Sequence, residues 1–498
     1  MRWRWGLRLG PGERARHLQP LAERPCDGLR QPVASRASSS YIVSPCLARP
    51  DVSDAGTVLT EEPMSISESG RAEPAGAAST VPVAQRRRLR TFDALSVPAF
   101  RLVISSNLMQ FAGMQMMSLV QGVLVFRLTG SFAALGLTAL ANAIPSLMFY
   151  PVGGVVADRF PKKAVLFTGQ AAVGIISVGL ALLAAFGMLA YWHLLVTAAL
   201  QGALQATTTP SRHTIIPDIV GRDRMMNAIG LNTSGTNLMQ TVGPGIGGAL
   251  IATVSAAWAF AVMAALAFFA AALSARLPRR PMYSFAEESA RAGIAVQRPR
   301  GGFSDLAQGA RHMLHNEHLR TLISVNFIIV LLSMPYSMML PGYVEEVMKK
   351  GAAEQGVLVA ISGVGAMLGS LVIASLPPRQ RGPLLVGVAS IMAVTLIGFS
   401  LNTHYLVMMP IMLALGISSA MRLSLGQVLI QTYSEDEYRG RVVSVWMMQY
   451  SVVSFGTFGV GFLSEWFGPQ LAIGGLAVVL LLFTASMGLF NRGLRRLQ

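Results

Sequence analysis

Twelve long apolar segments constrain this chain more than any other feature it has. They run over about 100–126, 131–156, 164–187, 191–215, 228–252, 255–276, 319–341, 353–376, 383–401, 404–431, 441–464 and 468–490. Roughly twenty apolar residues at about 1.5 Å each cross the hydrocarbon of a bilayer as an α-helix. Inside that hydrocarbon every backbone N–H and C=O needs an internal partner, which a helix supplies within itself. The expected fold class is an all-α membrane protein. Segment 383–401 is the shortest, and its ends are the least sharply marked.

Charge patterning agrees. Only 13% of the 498 residues are charged, against about 25% in soluble domains. The net charge of +16 would suit nucleic acid, but its distribution argues for a lipid bilayer instead. The basic residues fall in the N-terminal tail and in alternate loops, which marks the cytoplasmic side. Arg159, Lys162 and Lys163 follow the second span, and Arg212, Arg222 and Arg224 the fourth. Arg379 and Arg381 follow the eighth, Arg439 and Arg441 the tenth, and Arg492, Arg495 and Arg496 the last. No Lys or Arg follows spans 3, 5, 9 or 11. Arg127 is an exception, and Lys349 and Lys350 are balanced by Glu345, Glu346 and Glu354. The bias predicts a multi-pass protein of the plasma (inner) membrane with both termini in the cytoplasm.

Four regions follow. Residues 1–95 are rich in Arg, Pro, Ser, Ala and Glu without sustained apolar periodicity, a composition that stays disordered. No apolar run follows Met1 to make a secretory signal. Glu13, Glu23, Asp27, Asp51 and Asp54 argue against a transit peptide, and translation from Met64 is the other way to read this tail. The run Arg86-Arg87-Arg88-Leu89-Arg90 serves as a topology anchor or a lipid contact. Both cysteines, Cys26 and Cys46, lie in the tail, so no disulfide or thiolate supports the spans. Residues 96–276 hold six spans, 277–318 form a basic linker, and 319–498 hold six more. In the linker Phe303, Leu306, Ala310 and Met313/Leu314 have helical spacing, which predicts an amphipathic helix on the cytoplasmic membrane surface. The halves repeat faintly. GRDRMMNA after span 4 matches YRGRVVSV after span 10, pairing Arg222 with Arg439 and Arg224 with Arg441.

Several residues carry chemistry. The charged stretch Gly153–Lys163 must sit at the water boundary, because a charge at the bilayer centre costs at least a few kcal/mol. In span 5, Gly243-Pro244-Gly245-Ile246-Gly247-Gly248 allows close helix packing, and Pro244 removes a backbone hydrogen bond. Asn107, Gln110 and Gln115 in span 1, and Gln201 and Gln205 in span 4, need a cavity or another helix to satisfy their amides. Arg422 stands inside span 10, where it contacts a ligand or snorkels to the inner interface. No Asp or Glu lies deep in any span; Glu345, Glu346 and Glu465 are near outer ends. Met114, Met116, Met117, Met334, Met338 and Met339 suit an adaptable pocket or plain apolar filling. No nucleotide-binding loop and no Cys/His cluster occurs, so neither enzyme activity, catalytic residue, cofactor nor metal is expected.

GGVVADRFPKK resembles the signature loop G-x-x-x-D-R-x-G-R/K-R/K of the major facilitator superfamily, through Gly154, Asp158, Arg159, Lys162 and Lys163. Pro161 stands where the family has its second glycine. GPGIGG resembles the G-P-x-x-G-G motif of the superfamily's exporters, with Met239 at a position where a fuller motif has glycine. FRLTGS at 126–131, TPSRHTIIPDIVGRDRMMNA at 209–228, GARHMLHNEHLRTLI at 309–323, PYSMMLPGYVEEV at 335–347 and EYRGRVVSVW at 437–446 resemble the enterobactin-exporter and macrolide-efflux branch.

The resemblance implies twelve helices in two pseudo-symmetric six-helix bundles, with spans 1, 4, 7 and 10 lining a cavity. Asn107, Gln110, Gln205 and Arg422 become substrate-binding candidates. Gly154, Asp158, Arg159, Lys162, Lys163, Arg439 and Arg441 become gating residues, and Gly243, Pro244, Gly247 and Gly248 a packing motif. It implies a monomer exporting a drug-like or siderophore-like small molecule against protons. Relatives often carry an acid midway along span 1, where this chain reads Gly113-Met114. A carrier of lysophospholipid or another solute, and a transport-dead sensor or scaffold, are the alternatives.

Overall fold

The computed structural model describes residues 92–278, 311, 315–375, 381–434, 442, 445–446 and 448–490. These residues fall within one compact unit, Gln85–Gln498. The tail through residue 91, with Cys26 and Cys46, lies outside the described residues, as do the linker stretch 303–310, Met313, Leu314, Arg379, Arg439 and Arg441.

Among the described residues the chain is helical and has no strand. A 3₁₀ turn, Asp93–Ser96, leads into α1 (Pro98–Thr129), α2 (Phe132–Arg159), α3 (Lys162–Ala185), α4 (Tyr191–Thr253) and α5 (Ala256–Ala275). After the linker come α6 (Glu317–Ser333) and α7 (Tyr336–Gly342), which runs on into the π-turn Tyr343–Val347. Then follow α8 (Ala352–Ser375), α9 (Arg381–Leu401), α10 (Tyr405–Tyr433), α11 (Gln449–Phe467) and α12 (Pro469–Phe490).

Nine helical stretches among the described residues are long and apolar enough to cross a membrane. The expected spans 191–215, 228–252 and 441–464 are not among them. They are helical where described, but Gln, Thr, Ser and Gly lower their hydropathy. The first two lie in α4, which is two helices meeting at a kink at Gly221, whose φ of 71° is one that L side chains rarely adopt. The expected charged loop at 153–163 is also shorter than its sequence suggests. Helix α2 continues through Arg159, and only Phe160 and Pro161 are non-helical. Pro161 explains the stop: it holds the preceding residue extended, at φ −108° and ψ 150°.

Helices α1–α5 pack mainly on one another, as do α6–α12, and the two groups meet along α2–α11 and α4–α8. The turns at Gly130, Lys349 and Gly468 mark one end, here the connector end; Arg159, Gly221 and Ser375 mark the signature end. Toward the connector end one apolar core runs through both groups, from Val123 and Phe126 to Tyr343, Phe399 and Val460. Toward the signature end the core divides. Phe100, Ile216 and Leu277 belong to a cluster of the first group alone. Leu319 with Trp446, and Leu385 with Leu429, form separate clusters of the second.

Candidate functional site

Arg422 lies on α10, followed one turn later by Gly426, against which the ring of Trp446 packs. Apolar neighbours along α10 draw this face inward and take the guanidinium with it. Arg422 is only 4% exposed, so it is buried rather than extended to a helix end. Its Nη1 donates to Oδ1 of Asn326 on α6 at 2.8 Å. Asn326 is 1% exposed, and its Nδ2 faces Oε1 of Gln449 on α11 at 3.5 Å. Each amide oxygen accepts one of these bonds, and three donors are left over. Among the described residues, the Nε of Arg422, the Nε2 of Gln449 and the indole N–H of Trp446 are buried without a hydrogen-bond partner. Tyr450, next to Gln449, is 58% exposed and interacts electrostatically with both Arg422 and Tyr150 of α2. The cluster thus borders the seam between the two groups.

The other amide candidates are dispersed. Asn107 is buried and donates to Oδ1 of Asn232 on α4 at 3.1 Å, a helix–helix bond. Gln110 is buried with its Oε1 unpartnered. Gln205 is exposed on α4. No hydrogen bond joins any two of Asn107, Gln110, Gln205 and Arg422. Beside Asn107, Ser106, Gln170 and Ser274 close a buried ring across α1, α3 and α5. Gln170 donates to Ser106 at 2.9 Å and accepts from Ser274 at 2.8 Å, and Ser106 also reaches the carbonyl of Ala270 at 3.0 Å.

Sequence reasoning overlooked a stripe on the second part of α4. Thr233, Ser234, Asn237 and Gln240 are exposed, with Thr241 half-buried beside them. Their spacing puts them on one helix face. Polar side chains exposed within a hydrocarbon-spanning helix need water or protein partners, so this face suits an aqueous cavity. The signal was present in LNTSGTNLMQT at 231–241.

At the signature end, Lys162 pairs with Asp218 of α4 and donates to the carbonyl of Thr214 at 3.1 Å. Lys163 donates to the carbonyl of Leu277 at 2.7 Å. Arg224 pairs with Asp93 at 3.3 Å. Arg159 is exposed, and the side chains of Asp158 and Arg222 lie outside the described ones. A Cβ at Gly154 would meet nothing, whereas one at the neighbouring Gly153 would strike the backbone of α4 at Ala206. The partners Asp93 and Asp218 stood outside the motif and were not expected.

At the connector end the groups are tied together. Arg127 pairs with Glu345 at 3.4 Å. Glu465, just beyond expected span 441–464, accepts from the Ser131 hydroxyl and from the backbone N–H of Ala133 at 3.0 Å. The Ser131 hydrogen bond holds its carboxyl below the usual value against the opposing effect of burial, and the backbone N–H groups of Ala133 and Phe132 add to the lowering. Gly243 and Gly247 lie against α1 at Ala112 and Met116, and Gly248 against the backbone of α8 at Ala352. The carbonyl of Pro244 faces Gly356 of α8. Away from these contacts, a groove of about 440 Å³ between α2, α3 and α4 is lined by Phe149, Ile175, Leu200 and other apolar groups. It offers hydrocarbon contact and little to recognise a polar solute.

A family model described as transmembrane secretion effector matches residues 90–495. Enterobactin exporter EntS of Shigella boydii serotype 18 is 25% identical over 361 residues, covering 71% of this chain and 82% of that protein. EntS of Salmonella typhi is 25% identical over 367 residues, with the same coverage. Among solved structures, nucleoside transporter NupG superposes with a TM-score of 0.61 at 14% identity, covering 79% of this chain and 99% of that one. A bacterial homolog of the human lysosomal transporter Spinster, inward-facing and unoccupied, gives 0.59 at 16% identity over 78% and 95%. A POT family transporter in complex with 5-aminolevulinic acid gives 0.63 at 12% identity over 81% and 97%. At these identities the structural likeness speaks for the fold alone.

Proposed function

This chain belongs to the transmembrane secretion effector family of the major facilitator superfamily, and from that premise we propose that it exports a small molecule by alternating access, driven by protons. It is a multi-pass membrane transporter. Two six-helix halves, 96–276 and 319–498, rock about a central site, with both termini in the cytoplasm and the signature end facing it. The protein acts as a monomer.

The observation that carries this reading is the asymmetry of the seam. One apolar core crosses both groups toward the connector end, and separate cores divide them toward the signature end. Such an arrangement suits a carrier closed outward and open inward, ready to take cargo from the cytoplasm. Lys162 and Lys163 brace α3 within the first group, which leaves Asp158 and Arg159 to hold the signature end closed in the opposite state. Arg439 and Arg441 do the same in the second group. The glycine seam of α4 gives the halves a surface to pivot on. Asn107 serves helix packing through Asn232, whereas Gln110, Gln205 and Arg422 face cargo. The EntS relatives are named for enterobactin export, which favours a siderophore-like cargo over a cationic drug.

Inside-out vesicles with an imposed proton gradient test the proposal, using a panel of acidic siderophore-like and cationic drug-like compounds. Accumulation that collapses with the gradient, and is lost in Asp158→Asn at normal expression, is the expected result. Unchanged flux in Asp158→Asn would remove the gating role. Absence of gradient-driven flux across the panel would count against proton-driven export and move weight to lipid transport, for which the apolar groove offers a track.

A further inference from the structure

The cluster around Arg422 is buried, and the atoms it leaves wholly without a partner among the described residues are all donors. A guanidinium has only donors and stays charged. Taking it out of water is costly unless an opposite charge or a full set of acceptors replaces the water. Here one acceptor is supplied, Oδ1 of Asn326 on Nη1. Among the described residues no carboxylate forms an ion pair with Arg422. Among the described residues the Nε atom of Arg422 and the Nε2 atom of Gln449 have no hydrogen-bond partner, although the two residues are 4% and 2% exposed. Asn326 makes neither contact: its oxygen accepts from Nη1 of Arg422, and its nitrogen is turned toward Oε1 of Gln449. The indole N–H of Trp446, whose six-membered ring packs against Gly426 one turn along α10, is also buried without a partner among the described residues.

Position gives this excess a purpose. Tyr450 stands exposed beside Gln449 and in electrostatic reach of Tyr150 in the first group. The donors therefore sit behind the wall of the seam, on the side where the cores are divided. A fork of two N–H groups along the Nε edge is the shape that carboxylate and phosphate oxygens fit two at a time. Fixing Nη1 on Asn326 orients that edge in advance.

We propose that Arg422, oriented by Asn326 and assisted by Gln449, is the recognition point for an anionic oxygen group on the cargo, a carboxylate or a phosphate. The proposal rests on the exporter reading and adds the charge of the solute to it. In the cargo-free state the unmatched donors keep the site receptive. In the loaded state the anion completes their hydrogen bonds and neutralises the guanidinium.

The test is equilibrium binding to the purified full-length protein in detergent, followed by thermal unfolding. The probes are benzoate, phenylphosphonate and the neutral benzamide. Benzoate or phenylphosphonate is expected to raise the unfolding midpoint while benzamide does not, and the better anion tells carboxylate from phosphate. Arg422→Lys keeps the charge and loses the fork, and should weaken anion binding roughly tenfold, the scale of one charge-assisted hydrogen bond. Arg422→Gln should abolish it. Gln449→Met removes one donor and the long contact to Asn326 while leaving the Arg422–Asn326 bond, and should weaken binding by a few-fold even if the arginine variants fail to fold. Equal binding of benzamide and benzoate, unchanged affinity in Gln449→Met and Arg422→Lys, or no shift of the wild-type protein by either anion overturns the assignment. Binding is read without a membrane or gradient. Intact anion binding with no export in vesicles would therefore count against the exporter reading alone.

Discussion

The two groups of helices each bury a polar knot, and the knots differ in whether they close. In the first group, Ser106, Gln170 and Ser274 exchange hydrogen bonds in a ring, with the Ala270 carbonyl taking part. In the second, Asn326, Arg422 and Gln449 form an open chain with donors left over at both ends. A closed knot holds helices in register and asks nothing of a solute. An open knot retains binding capacity at the price of local stability. The contrast teaches that burial alone does not identify a functional polar residue; the balance of donors and acceptors around it does.

Mutations can break this comparison. Asn326→Leu should have the largest effect, because it takes the one acceptor from a buried guanidinium; a loss of about 3 kcal/mol is expected, seen as a lower thermal unfolding midpoint. A drop no larger than that of Ser274→Ala would mean that Arg422 is otherwise solvated, and the contrast would fail. Gln170→Leu should cost about 2 kcal/mol by removing two buried hydrogen bonds, with Ser106 and Ser274 keeping each other and the Ala270 carbonyl, while flux per folded molecule in the vesicle assay stays within roughly twofold. Selective loss of flux would give the closed knot a role in transport. Gln449→Met should change stability by less than about 1 kcal/mol, since its Nε2 has no partner to lose among the described residues and its Oε1 has only a long contact with Asn326 at 3.5 Å. Destabilisation equal to that of Gln170→Leu would show the amide to be satisfied.

The smallest effect concerns the two ends of the seam. The Glu465 carboxyl is held below its ordinary value in the folded protein. Its tie to Ser131 and Ala133 is therefore complete above the ordinary carboxylate range, about 4.3, and fades as pH falls through the lowered folded value. Spin labels at the exposed positions Leu128 and Trp466 should keep a narrow distance distribution at neutral pH and broaden only in acid. In Glu465→Ala the broadening should appear at every pH. No difference between the two proteins would remove Glu465 from the closure.

Legibility followed distance along the chain. Arg422 stood out because a charge in an apolar run is visible by itself, and the glycines at 243–248 because small residues in a span imply close packing. Asn326 and Gln449 were passed over, since one amide in an apolar or loop-like stretch has many readings until its partner is known. Gly153 was hidden by its neighbour Gly154, as only the approach of α4 at Ala206 separates them. The polar stripe from Thr233 to Thr241 could have been found by asking which face of span 5 carried its hydroxyls and amides.

By itself the sequence determined a helical membrane protein, its resemblance to a transporter superfamily and the presence of one arginine inside a span. Those properties depend on apolar length, helical period and motif spacing, all of which are local. Only the tertiary structure decided which buried polar groups are satisfied, where one core spans both groups, and that helix extends into the expected loops at 153–163 and 216–227 up to Phe160–Pro161 and Gly221. Arg422 meets an asparagine 96 positions away, and that asparagine faces a glutamine 123 positions further on. Pairing across such separations is set by how helices pack, and no local pattern in the chain encodes it.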